Sequence, residues 1–306
     1  MNEVRKTLEA RIPGLHARIE RMLAETEALY NDRTRQAPSE FVLQHARRTA
    51  AIAYKVALME GVDPFLPALV ALYHDAGKFN DGSYHEDSVP EEEHAAAIAE
   101  QMLCAFGLQR GDIESVLEAL RGLYKDGFPD NAACRIVQDA DRLDKLGALG
   151  VGAFFTKAAL RRRGLLDALA HALSRELTYS LAAPYSMLTE TGRRLAREQA
   201  AKTIAFFDDL LRDLEDWGIA SFERRVIVLE EDFRTRDGSS LQRLEVTIVV
   251  PRVCPKCESP FALKHSRERG IKCERLTARF ECVSCGHSGE TSFCLPAVAR
   301  SETAGG

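Results

Sequence analysis

From the N-terminus to about residue 217, apolar residues recur every three to four positions, broken by helix stop signals, so this stretch is expected to be helical. Ser39 is placed to cap a helix carrying Phe41, Val42, Ala46, Ile52, Val56 and Leu58, with Gly61 just past its end. Asp63-Pro64 opens a second helix, with Phe65, Leu66, Leu69, Val70 and Leu72 before His74, because proline suits a first helical position. Ser88 or Pro90 opens a third, with Ala95, Ile98, Met102 and Phe106 before Gly107. Further helices are expected over 112–122, 130–147, 151–160, 164–178 and 187–217. The pattern changes at Ser221. RRVIVLEEDF and LQRLEVTIVV mix β-branched with charged residues around Asp237-Gly238, a hairpin signal.

The fold class expected is therefore mainly α: a helical domain over 1–217, its core at about 25–215, then a small β-rich domain over 221–296 and a frayed tail over 297–306. A domain of roughly 210 residues buries a substantial core, whereas the shorter segment needs a staple. The 306-residue chain is 45% apolar with a net charge of −5, which excludes a generally basic nucleic-acid coat but not a local phosphate-binding patch. Its N-terminus is charged and no apolar run reaches the roughly 18 residues of a membrane span, so the protein is expected to be cytoplasmic, without a membrane partner.

Chemistry concentrates in two places. The first comprises His45 in FVLQHARRTA, the adjacent pair His74-Asp75 in LYHDAGKF, and the aspartates of VQDADRLDKLGALG. Imidazole and carboxylate together suit a borderline or hard divalent cation that keeps positions open for water and phosphate oxygens. Arg48, three residues after His45, shares its helical face, and Lys78 stands three residues past Asp75.

This array resembles the HD-domain phosphohydrolases, whose signature is H…HD…D on an all-helical fold. The likeness covers roughly 25–215. IVQDADRLDKLGALGVGAFF and TETGRRLAREQAAKTIAFFDDLL resemble a bacterial subgroup acting on nucleotides and pyrophosphates. It implies His45, His74, Asp75 and Asp141 as ligands of one catalytic divalent cation (Mn, Co, Ni, Fe, Mg or Zn). Asp139 is the rival to Asp141; a helix turns about 200° over two residues, so one ion does not take both. Asp139 and Asp144 are given supporting roles. Lys78 and Arg48 are the candidate phosphate contacts, with Arg142 a third. Some relatives hold two metals through extra histidines. Here His94, and His85 before it, are followed by no histidine before Asp141, so one ion is expected, with His94 an outer residue or a surface one.

The resemblance implies hydrolysis of a phosphoester or phosphoanhydride in a nucleotide or similar small phosphorylated metabolite by metal-activated water, with Asp75 or Asp141 holding the proton. A phosphodiesterase for cyclic or oligonucleotide substrates is a second version. A non-catalytic module presenting the second site to a partner is the alternative from another class.

The second place is Cys254-Pro255-Lys256-Cys257 and Cys282-Val283-Ser284-Cys285, two C-x-x-C pairs with 24 residues between them. In a chain without an export signal this spacing reads as a four-thiolate structural zinc ribbon, closed and so not catalytic. Cys273 is a possible substitute ligand, and Gly286 fits a tight knuckle turn. Lys256, Lys264, His265, Arg267, Arg269, Lys272, Arg275 and Arg279 make the ribbon locally basic, which suits contact with a nucleic acid or protein partner or simply a solvated face.

Overall fold

The computed structural model describes residues 2–36, 39–79, 89–123, 129–230, 233–234, 240–254, 256–269, 274–294 and 299–300. The expected Asp237-Gly238 turn, Ser88, His85, Cys273 and Lys272 lie outside them. Ten helices are described: α1 (Asn2–Arg11), α2 (Leu15–Thr34), α3 (Phe41–Met59), α4 (Phe65–Tyr73), α5 (Glu91–Ala105), α6 (Arg110–Gly122), α7 (Ala132–Leu143), α8 (Gly147–Leu160), α9 (Leu165–Ser186) and α10 (Glu190–Asp216). The strands follow: β1 (Phe222–Leu229), β2 (Phe233–Arg234), β3 (Ser240–Leu241), β4 (Leu244–Pro251), β5 (Phe261–Arg269), β6 (Glu274–Cys282), β7 (Ser288–Cys294) and β8 (Ala299–Arg300). The fold is mainly α, with small antiparallel sheets at its C-terminal end. No helix among the described residues is long and apolar enough to cross a membrane.

The chain packs as two compact units, Met1–Asp144 with Leu188–Gly192, and Lys145–Met187 with Arg193–Gly306. Helix does give way to strand near residue 220, but compactness divides elsewhere, because α8, α9 and α10 pack with the sheets.

In the first unit α4 is apolar on all sides and buried from Pro67 to Tyr73, as a central helix must be. It packs against α3 and α7, which also touch each other. The strongly amphipathic α7 buries Ala133, Ile136, Val137, Ala140 and Leu143, and Asn131 caps its start by accepting from the Cys134 N–H at 3.1 Å. The first turn of α3 is capped differently from expectation. Ser39 donates its hydroxyl to Glu27 Oε1 (2.9 Å), and the Glu27 carboxylate takes the N–H groups of Phe41, Val42 and Leu43 at 2.6, 2.9 and 3.3 Å. A buried anion reaching from α2 thus satisfies three orphan donors and the positive end of the helix dipole.

In the second unit β1 and β4 pair antiparallel from Phe222↔Pro251 to Leu229↔Leu244. The far edge of β4 is covered by α9. Ser174 Oγ accepts from Val249 N and Thr178 Oγ1 from Thr247 N, both at 2.9 Å, with both hydroxyls within reach of the same residues' carbonyls. Two hydroxyls one helical turn apart thus finish a strand that would otherwise expose an open edge. β5, β6 and β7 form the ribbon sheet; its inner residues Phe261, Leu276, Ala278, Phe280 and Phe293 join Leu244, Val246, Ile248 and Val250 of β4 in one apolar cluster.

Candidate functional site

Three packed helices deliver the first site. His45 lies one turn into α3, His74 follows the last residue of α4, and Asp141 is near the end of α7. His45 Nε2 is 3.1 Å from His74 Nε2 and 3.2 Å from Asp141 Oδ1. These three residues offer ligand atoms all within 4.8 Å of one another. Asp75 stands beside them, Oδ2 at 3.6 Å from His45 Nε2 and Oδ1 at 3.6 Å from His74 Nε2.

The outer ring nitrogens fix what the inner ones present. His45 Nδ1 lies 2.7 Å from Asp144 Oδ2 and His74 Nδ1 lies 2.7 Å from the Ala71 carbonyl. Both partners accept, so each Nδ1 carries hydrogen and each Nε2 offers a lone pair to the centre. Two Nε2 lone pairs and the Asp141 carboxylate converge with Asp75 beside them, a gathering of electron pairs that calls for a cation. Without a metal, a proton answers: burial pulls the His45 imidazole down, but hydrogen bonds with Asp141 and Asp144 and the charge of Asp75 raise it to about 9. His74, fully enclosed, is pushed below its ordinary value by burial. The donor set, two imidazoles and two carboxylates, fits a divalent ion.

Asp144, expected in a supporting role, lies behind His45. Its buried carboxylate holds His45 and also accepts from Arg48 Nε at 2.7 Å and Arg48 Nη2 at 3.0 Å. Burial raises the Asp144 carboxyl, but the hydrogen bonds with His45 and Arg48 outweigh it and hold it low. Arg48, expected at the phosphate, has its fork on Asp144. Lys78 donates to Asp75 Oδ2 at 2.6 Å while about a quarter of its side chain stays exposed. Burial lowers Lys78, but Asp75 and Glu91 more than compensate, so it stays charged. Asp75 is correspondingly held well below the carboxylate range: burial opposes this, and His74, Lys78 and His45 overcome it.

Asp139 is turned elsewhere. It is fully buried on the other side of α7 and accepts from Leu188 N, Thr189 N and Thr189 Oγ1, each at 2.8 Å. It therefore anchors the turn before α10 and stands outside the ion cluster, as the rotation between positions 139 and 141 requires. Arg142 donates to Gln138 Oε1 at 3.3 Å, along the helix. The α5 helix that carries His94 comes close to the site: a Cβ on Gly77 would collide with the Glu91 carbonyl and lie 2.8 Å from His94 Cβ. Gly77 is thus glycine so that α5 can start directly against the HDAGK turn.

That approach brings in a residue not expected from the sequence. Glu91 hydrogen-bonds to Asp75, and burial together with the Asp75 charge pushes its carboxyl up to about 7, against the pull of Lys78. It lies in the acidic run PEEEH, where sequence alone does not show which carboxylate faces inward.

The second site gathers Cys254, Cys257, Cys282 and Cys285 with their sulfurs within 4.8 Å of one another. Cys254–Cys285 and Cys257–Cys282 are 3.6 and 3.4 Å apart, far beyond a disulfide bond and close to the edge of a zinc tetrathiolate. The two knuckles match. Each first cysteine accepts through its carbonyl from the residue four on, Glu258 or Gly286, and both of these have left-handed backbone, φ 58° and 69°. The outer sheet face carries both signs. Lys264 lies opposite Arg279, Arg279 opposite Glu290, and Glu268 opposite Arg275.

Residues 42–146 match the family model of the HD domain. The chain is 27% identical over 176 residues to the Bacillus subtilis (strain 168) protein described as "Uncharacterized protein YpgQ", covering 56% of this chain and 82% of that one. Among solved structures, Bacillus subtilis YpgQ in complex with ADP is similar at 22% identity and a TM-score of 0.47, covering 65% of this chain and 96% of that one. A predicted HD superfamily hydrolase from an uncultured Thermotogales bacterium is similar at 24% identity and 0.48, covering 69% and 97%. The matched segment runs from the first turn of α3 past the end of α7 and so contains His45, His74, Asp75, Asp141 and Asp144. Residues 42–146 of this chain form an HD domain.

Proposed function

We propose that the chain is a metal-dependent phosphohydrolase that cleaves a phosphoester or phosphoanhydride of a nucleotide or similar small phosphorylated compound. The observation that carries this reading is the convergence of His45 Nε2, His74 Nε2 and the Asp141 and Asp75 carboxylates from separate helices, with a charged Lys78 at the rim. His45, His74, Asp141 and Asp75 would hold one divalent ion, which when bound supplies Lewis-acid polarisation of a phosphoryl group and of the attacking water. Lys78, ionised and part-exposed, meets the negative charge of the phosphate and of the leaving oxygen. Asp144, held by Arg48, keeps the His45 ring turned so that Nε2 faces inward. Glu91, bonded to Asp75, stands next to the centre as an acceptor or donor of a proton. The four cysteines would hold a structural zinc.

A panel of phosphorylated metabolites screened with Mn, Co, Ni, Mg and Zn tests the proposal. Phosphate release should require one of these ions and fall at least a hundredfold in Asp75→Ala and Asp141→Ala. No release by the wild-type chain with any of these ions, or release indifferent to both substitutions, defeats it.

A further inference from the structure

A cavity of about 370 Å³ lies in the second unit, between α9 and the ribbon sheet. It is lined by Arg175 and Tyr179 of α9, Arg275 of β6, and Ser292, Phe293 and Cys294 of β7. We propose that it is a second binding site, built from none of the ion-cluster residues, for a small oxyanion carried on a planar apolar body.

Charge decides the sign of the ligand. Two guanidiniums and no carboxylate line the cavity, in a chain whose net charge is −5. Arg175 gives Nε and Nη2 to Glu176 Oε1, which leaves its Nη1. Arg275 makes no hydrogen bond or ion pair among the described residues, although Glu268 stands opposite it on β5. One neighbouring carboxylate thus offsets two cations, and an oxyanion supplies the missing charge in a form that guanidinium forks recognise. Ser292 Oγ lies 3.1 Å from Thr277 Oγ1, so when Thr277 donates, Ser292 has its own hydrogen to give the same anion. Phe293 and Tyr179 add ring surface for an apolar body. The volume falls at the compact end of small-molecule sites, which span roughly 300–1,000 Å³.

The walls are in place before any ligand arrives. His171, Arg175 and Tyr179 recur at four-residue spacing and so share one stripe of α9. Thr291 Oγ1 donates to the His171 carbonyl at 3.2 Å and ties β7 to that stripe. The neighbouring stripe, Ser174 and Thr178, is bonded to β4. Phe293 is opposite Leu276 on β6, and both are buried in the shared apolar cluster. The backbone around the cavity is thus held without a ligand, which spares binding part of its ordering cost. Arg275, Ser292 and Cys294 are exposed, so a ligand reaches the cavity from solvent.

Phenylphosphonate, whose carbon–phosphorus bond resists hydrolysis, is the probe, and methylphosphonate, which lacks the ring, is its comparison. Both are titrated calorimetrically into the full chain carrying Asp75→Ala, which disables the ion cluster. Phenylphosphonate should bind at one site per chain and several-fold more tightly than methylphosphonate. Arg275→Ala and Arg175→Gln should each weaken it roughly tenfold or more. Arg279→Ala removes another exposed arginine of β6 that does not line the cavity, and should leave the affinity unchanged. Segment-resolved hydrogen exchange should show protection gained on binding in β6 and β7. No binding, an affinity indifferent to Arg275→Ala, or an equal loss in Arg279→Ala overturns the site. Equal affinity for the two phosphonates overturns the planar body. None of these results depends on whether the ion cluster hydrolyses phosphate.

Discussion

Metal-binding histidines almost always have their other ring nitrogen occupied, and on His45 that nitrogen is held by Asp144. The carboxylate receives the His45 Nδ1 hydrogen at 2.7 Å and is itself gripped by both Nε and Nη2 of Arg48. Arg48 is therefore better understood as the support of an orienting carboxylate than as a phosphate contact. Asp144→Asn keeps the size but replaces one acceptor with a donor, which suits neither His45 Nδ1–H nor Arg48. Manganese affinity in a calorimetric titration should fall by roughly ten- to a hundredfold, with the helical content unchanged by circular dichroism. An unchanged affinity would show that His45 needs no such partner. The residues that come together were legible in the sequence because a histidine, a His-Asp pair and an aspartate recur on helices in a fixed order. The division of labour between Arg48, Asp139 and Asp144 was not. It depends on which way each side chain turns, and Asp139 and Asp144 differ only by rotation around α7 and its end.

Among the elements, the helices were the most legible, since 3.6-residue periodicity and Pro or Gly stops mark α3, α4 and α5 within a few residues of where they lie. Their caps were less so. Ser39 stands where a capping residue belongs, yet Glu27, twelve residues earlier, does the capping and uses Ser39 as a donor. A partner on another helix leaves no local trace. The cysteine knuckles show the same limit in reverse: their cysteine spacing was plain, while their backbone symmetry was hidden by a change of residue. The position four after the first cysteine is left-handed in both, glycine in one (Gly286) and Glu258 in the other. A side chain there costs about 1 kcal/mol or more of strain. Glu258 is exposed and no packing is lost with it. Glu258→Gly should therefore stabilise the ribbon by about 1 kcal/mol in chemical denaturation followed by a ribbon-specific probe such as zinc release. Destabilisation would mean that the Glu258 side chain contributes more than its backbone costs.

At the scale of the whole molecule, the boundary suggested by composition and the boundary set by packing differ. Helix yields to strand near residue 220, but α9 covers the open edge of β4 through Ser174 and Thr178, so the second compact unit begins at Lys145. A hydroxyl at one helical position and another a turn later carries no signal that a strand waits opposite, which is why the sequence did not disclose it. The arrangement has a consequence for metal removal. The ribbon is not a bead at the end of a string: Phe261, Phe280 and Phe293 share one apolar cluster with Val246 and Ile248 of β4. A structural zinc in the proposed four-thiolate site would contribute on the order of 10 kcal/mol, comparable with a domain's whole usual margin of about 5–15 kcal/mol. Stripping it with a thiol-reactive mercurial and chelator should therefore loosen β4 as well as the ribbon. The helices of Met1–Asp144 have their own buried core around α3, α4 and α7 and should hold. Hydrogen exchange resolved by segment separates the possibilities. Protection should fall across 244–294 and in α9 near Ser174 and Thr178, and persist in α3, α4 and α7. Loss of protection in α4 would show that the two units unfold as one, and loss confined to 254–294 would show that the ribbon is energetically detached from the strand it packs on.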